Sequence, residues 1–221
     1  MDRNQQGIQA LQAGKYEEAI RLFSEEIEEN PKDAVAYINF GNVLAHVGEE
    51  ERAQRFFLKA IELDKGAATA FYGLGNLFFN GEQFNEAKTN FEKAISLGLN
   101  TGDVFFMLGL SLMHLEQPKL ALPYLQRSVE LNKEDIEARF QFGLCLAQLE
   151  MLEEAVKQFQ LIIEKDNQHA DALYNLGVAY AGHYEDPKVA LSYFNRALQA
   201  QDDHMLAGYG KKMMEKVLNE H

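Results

Sequence analysis

Apolar positions recur along this chain with two nested periods. The short period is helical: Ala53, Phe56, Phe57, Ala60 and Ile61 follow a rhythm of three and four, which sets them on one face of a helix. The long period is 34 residues. It separates Gly41, Gly75, Gly109, Gly143 and Gly177, which sit in "AYINFGNVL", "AFYGLGNLF", "VFFMLGLSL", "ARFQFGLCL" and "ALYNLGVAY". Downstream of the first four glycines come Ala53, Ala87, Ala121 and Ala155, then Phe57, Phe91, Leu125 and Phe159, then Ala60, Ala94, Ser128 and Ile162. Small residues let two helices approach closely and large ones fill the space beside them. A fixed period of this size predicts a repeat architecture in which each unit is a pair of helices.

These residues resemble the tetratricopeptide repeat, whose pattern is a large residue, Leu-Gly, Tyr, then Ala, Phe and a closing Pro. Here the last unit reads Leu173, Leu176-Gly177, Tyr180, Ala190, Phe194 and Ala197. The resemblance recurs in phase over nearly the whole chain. It implies an all-α, right-handed superhelical solenoid of antiparallel helix pairs, forming one domain over 1–221. Six units are expected at about 1–33, 34–67, 68–101, 102–135, 136–169 and 170–202, with a capping helix at 203–218.

The first unit is degenerate, with Gln6-Gly7 in place of Leu-Gly, although Tyr16, Ala19 and Phe23 are regular and Asn30-Pro31 ends its second helix. The sixth carries one extra residue near "AGHYEDPKVA". In the tail, Leu206, Tyr209-Gly210 and Met213 echo a first helix alone. Terminal repeats need a cover for their apolar face; a Met-rich docking helix, using Met205, Met213 and Met214, is the other reading. Pro118 suits the first turn of a helix. Pro123 lies deeper in the same helix and predicts a kink or a late start.

Composition narrows the partners. The formal charge is -13, from 21 Lys+Arg against 34 Asp+Glu, and no basic cluster interrupts it, so neither nucleic acid nor a membrane is an expected partner. A basic partner would be attracted in a salt-dependent way, although Glu-rich helix faces also serve solubility alone. No stretch is apolar enough to span a membrane, "MDRNQQGIQ" does not read as a signal peptide, and the one cysteine, Cys145, fits a reducing compartment, so a cytoplasmic location is expected. Cys145 falls among packing positions, as an inert thiol would.

No catalytic motif is present. The chain has no zinc-binding His-Glu-x-x-His helix, phosphate loop or nucleophile elbow, so neither an enzyme nor a cofactor or metal is expected. His46 and His114 share a register but lie two units apart, too far for one metal ion, and are read as partner-facing or solvated.

In this family the first helices line a concave surface, and the resemblance supplies that orientation here. Three residues before each glycine stand Ile38, Tyr72, Phe106, Phe140 and Tyr174; Asn39, Gln141 and Asn175 follow. One residue past the glycines are Asn42, Asn76 and Leu110, and further on His46, Asn80 and His114. Rigid aromatics are good binding anchors, and an amide can pair with both the C=O and the N–H of a peptide bond. Family members use asparagines in that manner, yet Asn and Tyr are also common family residues that pack between helices. The chaperone-tail clamp of the family lacks its Lys and Arg here, so an acidic C-terminus is not the expected ligand. Asp103, Glu137 and Asp171 recur in the first turn of three first helices, either as an acidic edge for Lys or Arg on a ligand or as favourable charges on the helix dipole. The expected function is a non-enzymatic, monomeric adaptor for an extended apolar-to-basic peptide; self-association through terminal faces or groove is the alternative.

Overall fold

The computed structural model describes residues 2–220, and among them are thirteen helices and no strand. They alternate as first and second helices of a repeat: α1 (Arg3–Gln12) with α2 (Tyr16–Glu29), α3 (Ala34–His46) with α4 (Glu50–Leu63), and α5 (Ala68–Asn80) with α6 (Phe84–Ser96). They continue as α7 (Gly102–His114) with α8 (Pro118–Leu131), α9 (Ile136–Gln148) with α10 (Leu152–Lys165), and α11 (Ala170–Gly182) with α12 (Pro187–Ala200); α13 (Met205–Asn219) ends the series. The chain divides into two compact units, Met1–Glu116 and Gln117–His221.

Each 34-residue period has a mechanical reason. A Cβ added at Gly41 would lie 2.7 Å from the Phe57 ring, and at Gly143 2.7 Å from that of Phe159, closer than packed carbons approach. The glycine is what lets the phenylalanine of the second helix seat against the first helix's backbone. Phe57, Phe91 and Phe159 are consequently buried, as are Ala53, Ala60, Ala87 and Ala94 beside them. The degenerate first unit uses the same device, since Gly7 meets Phe23 at 2.5 Å.

The turn inside each pair also repeats. Its left-handed residue is Gly14, Gly48, Glu82, Glu116, Glu150 and Glu185 in successive units. The amide after that residue closes back on the helix, from Lys15 to the Ala10 carbonyl, Glu49 to Leu44, Gln83 to Phe78 and Met151 to Leu146, at 2.8, 2.8, 2.8 and 3.0 Å. Such closure ends the first helix with its terminal carbonyls satisfied and fixes the reversal into the second. The first helices α1, α3, α7, α9 and α11 start on side-chain caps from Asp2, Asp33, Thr101, Asp135 and His169, and α13 on one from His204, whereas α5 starts from Ala67 without one. α8 begins at Pro118 itself, so its start is not late, and it runs on through the exposed Pro123.

The tail differs in register from its sequence echo. Gly210 meets Phe194 at 2.7 Å just as Gly73 meets Phe57 at 2.5 Å, and Gly73 lies two residues before a repeat glycine. His204 caps α13 as His169 caps α11, and Ala207 is buried like Ala172. Lys212 therefore holds the glycine slot and Lys211 the leucine slot before it. Two lysines where a second helix would seat make the outer side of α13 a solvated end.

Candidate functional site

Within Met1–Glu116, α1 packs against α3, α3 against α5, and α5 against α7, while α2, α4 and α6 make no comparable contact with one another among the described residues. The first helices therefore line the inner side of this stack. Asn42, Asn80 and His114 are exposed on it, and Asn39, Tyr72, Asn76, Phe106 and Leu110 are half-buried. Ile38 departs from expectation: it is 7% exposed and belongs to the core with Phe40 and Val43, because the α3 backbone turns that position toward its neighbours. Asn39 Nδ2 donates to Asn4 Oδ1 at 3.3 Å and Asn4 Nδ2 to Asp33 Oδ2 at 3.0 Å, so this amide is tied into the first two repeats.

The densest polar arrangement is Tyr72, Asn76 and Asp103. Tyr72 and Asn76 are four apart on α5 and share a face; Asp103 enters from the first turn of α7. Burial pushes the Tyr72 hydroxyl above its ordinary range, the Asn76 amide pulls it back, and the Asp103 carboxylate pushes it up again. Asn76 Oδ1 is buried with no hydrogen-bond partner. A buried acceptor left open costs about 1–3 kcal/mol, and native proteins keep few of them. The site is thus rich in acceptors and short of an N–H donor.

The histidines are not free. His46 Nε2 lies 2.8 Å from the Tyr16 hydroxyl, with ring centroids 4.8 Å apart. His114 stacks on Phe84 at 4.2 Å and meets Phe79 edge-on at 5.5 Å. Each closes the end of a first helix onto the start of the preceding second helix. The sequence carries the signal, an aromatic thirty residues before each histidine.

In Gln117–His221, Phe140 and Tyr174 are half-buried on α9 and α11, with Gln141 and Asn175 beside them. Phe140 packs 5.1 Å from His169 and Tyr174 5.2 Å from His204, centroid to centroid. These two histidines, absent from the candidate set, are N-caps whose Nδ1 accepts from Ala172 N and Ala207 N at 3.2 and 3.1 Å. They pass unnoticed in sequence because histidine is a rare cap. Glu137 accepts from Gln141 at 2.9 Å, and Asp171 lies 3.2 Å from His204 Nε2, so two of the three first-turn acids have side-chain partners. Asn175 Nδ2 donates to the Asp171 carbonyl at 2.8 Å, and Asn175 lines a cavity of about 390 Å³ with Leu152, Val156, Val178 and Ala179. That cavity offers an apolar side chain a seat beside an amide.

Among the described residues no group of three His, Cys, Asp or Glu is placed to hold a metal ion, and no helix is long and apolar enough to cross a membrane. Two family models described as "Tetratricopeptide repeat" match residues 10–68 and 148–204, and one described as "Anaphase-promoting complex, cyclosome, subunit 3" matches 80–162. A 37-residue stretch is 54% identical to the TPR repeat-containing protein YrrB of Bacillus subtilis (strain 168), spanning 17% of this chain and 18% of that protein. In three dimensions the chain is similar to YrrB, described as a TPR protein with an unusual peptide-binding site, with a TM-score of 0.81 and 56% identity over 86% of this chain and 97% of that one. PilF of Pseudomonas aeruginosa shares the fold, at 22% identity and a TM-score of 0.81 over 96% of both chains.

Proposed function

The chain belongs to the tetratricopeptide repeat family, and on that premise we propose a non-enzymatic adaptor that holds an extended apolar-to-basic segment of another protein along its first helices. The observation that carries this reading is the row of polar and aromatic groups along α3, α5 and α7, where Asn42, Asn80 and Asp103 are exposed beside half-buried Tyr72 and Asn76. The exposed amides of Asn42 and Asn80 pair with the backbone of an extended peptide, and a Lys or Arg side chain of the same peptide meets the exposed Asp103. Half-buried Phe106 supplies apolar contact with little loss of side-chain freedom. The net charge of -13 steers a basic segment toward this surface. YrrB, with its peptide-binding site, supports the coarser role of protein interaction.

Fluorescence anisotropy with labelled extended peptides tests it. Alternating Leu/Lys peptides should bind, more weakly as salt rises, and Leu/Glu peptides should not. Binding that favours the acidic series, or that ignores Asn42→Ala/Asn76→Ala, overturns the reading.

Self-association is favoured by a different observation: Met205 and Tyr209 of α13 are 87% and 67% exposed, with Leu206 and Met213 also exposed. Sedimentation across a concentration series separates the two, since the adaptor stays monomeric until partner is added.

A further inference from the structure

Arg139 breaks the repeat. Four residues before the other repeat glycines stand Tyr37, Phe71, Phe105 and Leu173, all apolar in body. In the second repeat Tyr37 packs on Phe56, with centroids 5.9 Å apart. The corresponding pair in the fifth repeat is Arg139 and Gln158, joined by a hydrogen bond of 2.9 Å from Nη1 to Oε1. A guanidinium and an amide thus stand where two rings would otherwise meet.

Arg139 is only 8% exposed, yet among the described residues it makes no ion pair. Besides Gln158, its guanidinium donates to the backbone carbonyl of Lys133 at 2.9 Å, which also takes the Lys165 ammonium at 2.9 Å. A guanidinium carries five N–H donors and keeps its charge when buried. The Arg139 charge is felt by the Glu134 carboxylate, which is engaged by Lys165, and a buried cation with no carboxylate in contact is costly. It lines a cavity of about 580 Å³, on the side of α9 facing α8 and α10, whose apolar walls are Leu122, Val129, Phe142, Leu146, Met151 and Leu161.

The local charges point the same way. Glu130 on the rim is held by Arg127 at 3.2 Å, and Glu134 by Lys165 at 2.9 Å. Lys133 and Arg139 are left facing Glu154 alone among the ionised groups lining the cavity without an ion pair, a surplus of positive charge in a chain that is otherwise acidic.

We propose that this cavity is a second binding site, separate from the peptide face, for a small monocarboxylate: the carboxylate pairs with Arg139 and an apolar group fills the space between α8, α9 and α10. The volume suits a ligand of small-molecule size, and a carboxylate matches the planar fork of a guanidinium. The same chemistry is offered by a free medium-chain acid and by the C-terminus of a short peptide ending in an apolar residue.

Isothermal titration calorimetry on the full chain tests the site with octanoate and with acetyl-Leu-Phe as the free acid. Their uncharged counterparts, octanamide and acetyl-Leu-Phe amide, serve as controls. At least one acid should bind and its amide should not; which acid binds more tightly identifies the source. Arg139→Leu should weaken the acid about tenfold or more while keeping the fold, because Leu173 occupies the same register in the next repeat. Glu154→Gln should tighten it. Absence of binding by both acids at millimolar concentration overturns the proposal, as does equal binding of acid and amide or undiminished binding by a folded Arg139→Leu chain.

Discussion

A Cβ placed on Gly75 would lie 2.4 Å from Cε1 of Phe91. Phe91 is fully buried and has no room to withdraw, so the contact is set by the backbone of α5 and not by a movable side chain. Gly75→Ala should therefore destabilise the chain by about 1–3 kcal/mol in urea unfolding followed by circular dichroism. Gly208 supplies the control. It is helical, and an added Cβ there meets nothing within 4 Å, so Gly208→Ala should stabilise by about 0.5–1 kcal/mol. Equal effects of the two substitutions would remove the packing account of the repeat glycine.

The turn register gives a second prediction. Glu150 holds a φ of 61° where Gly48 holds 81°. A non-glycine residue in this region is strained by about 1 kcal/mol or more, and the exposed Glu150 side chain has no packing role to offset it. Glu150→Gly should raise the urea midpoint by an amount corresponding to about 1 kcal/mol, and Gly48→Ala should lower it similarly. A loss of stability in Glu150→Gly would mean that glycine's freedom in the unfolded chain outweighs the strain.

Much of this was readable in advance. The glycine and phenylalanine slots recur every 34 residues because each pair of helices solves one packing problem, and a repeated problem leaves a repeated spelling. The helix boundaries follow from the same phase. What escaped is what does not repeat. Ile38 is sealed in the core although Tyr72, at the same register, is half-buried, because burial depends on the neighbours that α3 meets. His169 and His204 act through the backbone amides of Ala172 and Ala207, a role with no spacing signature. Arg139 departs from the period, but the cavity it lines is made by residues of three helices whose distances no single period encodes. The tail was legible as a helix and misplaced by two residues, since Tyr209-Gly210 imitates a Leu-Gly pair.

His204 ties α13 to the repeat before it. Its Nδ1 accepts from Ala207 N at 3.1 Å, and its Nε2 lies 3.2 Å from Asp171 Oδ1. His204→Ala removes both contacts and should cost about 1 kcal/mol. Because, among the described residues, α13 packs mainly on α12 and α11, hydrogen exchange should accelerate there before it does in α9. His204→Asn restores the cap without the Asp171 contact and should recover most of the protection. Uniform acceleration along Gln117–His221 would show that α13 does not open as a separate piece.

Cys145 is fully buried, and burial pushes its thiol up to about 11 from 9.0. Its Sγ also donates to the Pro118 carbonyl at 3.4 Å, which needs the protonated form. A raised value in the folded state means that the stabilising contribution is complete below about 9 and is lost as pH rises through about 11. At pH 8 the native chain should resist a disulfide exchange reagent and react on unfolding in urea, because the thiolate is the attacking species. Cys145→Ala should flatten the part of the alkaline stability loss that falls in that window. Rapid labelling of the native chain would place the thiol at the surface.

Asn76 separates a binding role from a structural one. Its Oδ1 is buried without a partner, so removing the amide relieves an acceptor that water cannot reach, and that relief offsets the loss of the Asn76 hydrogen bond to Tyr72. The repeat itself indicates a tolerated replacement, since Leu110 and Leu144 hold the same register on α7 and α9. Asn76→Leu should therefore unfold at the same urea concentration as the parent or a higher one. A basic, apolar extended peptide should nevertheless bind about tenfold more weakly, the equivalent of losing one hydrogen bond of roughly 1.4 kcal/mol from the half-buried amide. Asp103→Asn should weaken the same peptide and reduce the salt dependence of its binding, because it removes a charge but keeps an acceptor. If Asn76→Leu lowers stability by several kcal/mol, the amide is holding α5 against α7 and the open acceptor has a partner inside the fold. If stability holds and peptide affinity is unchanged, the peptide does not run past Tyr72, Asn76 and Asp103, and the inner face of Met1–Glu116 is not where it is held.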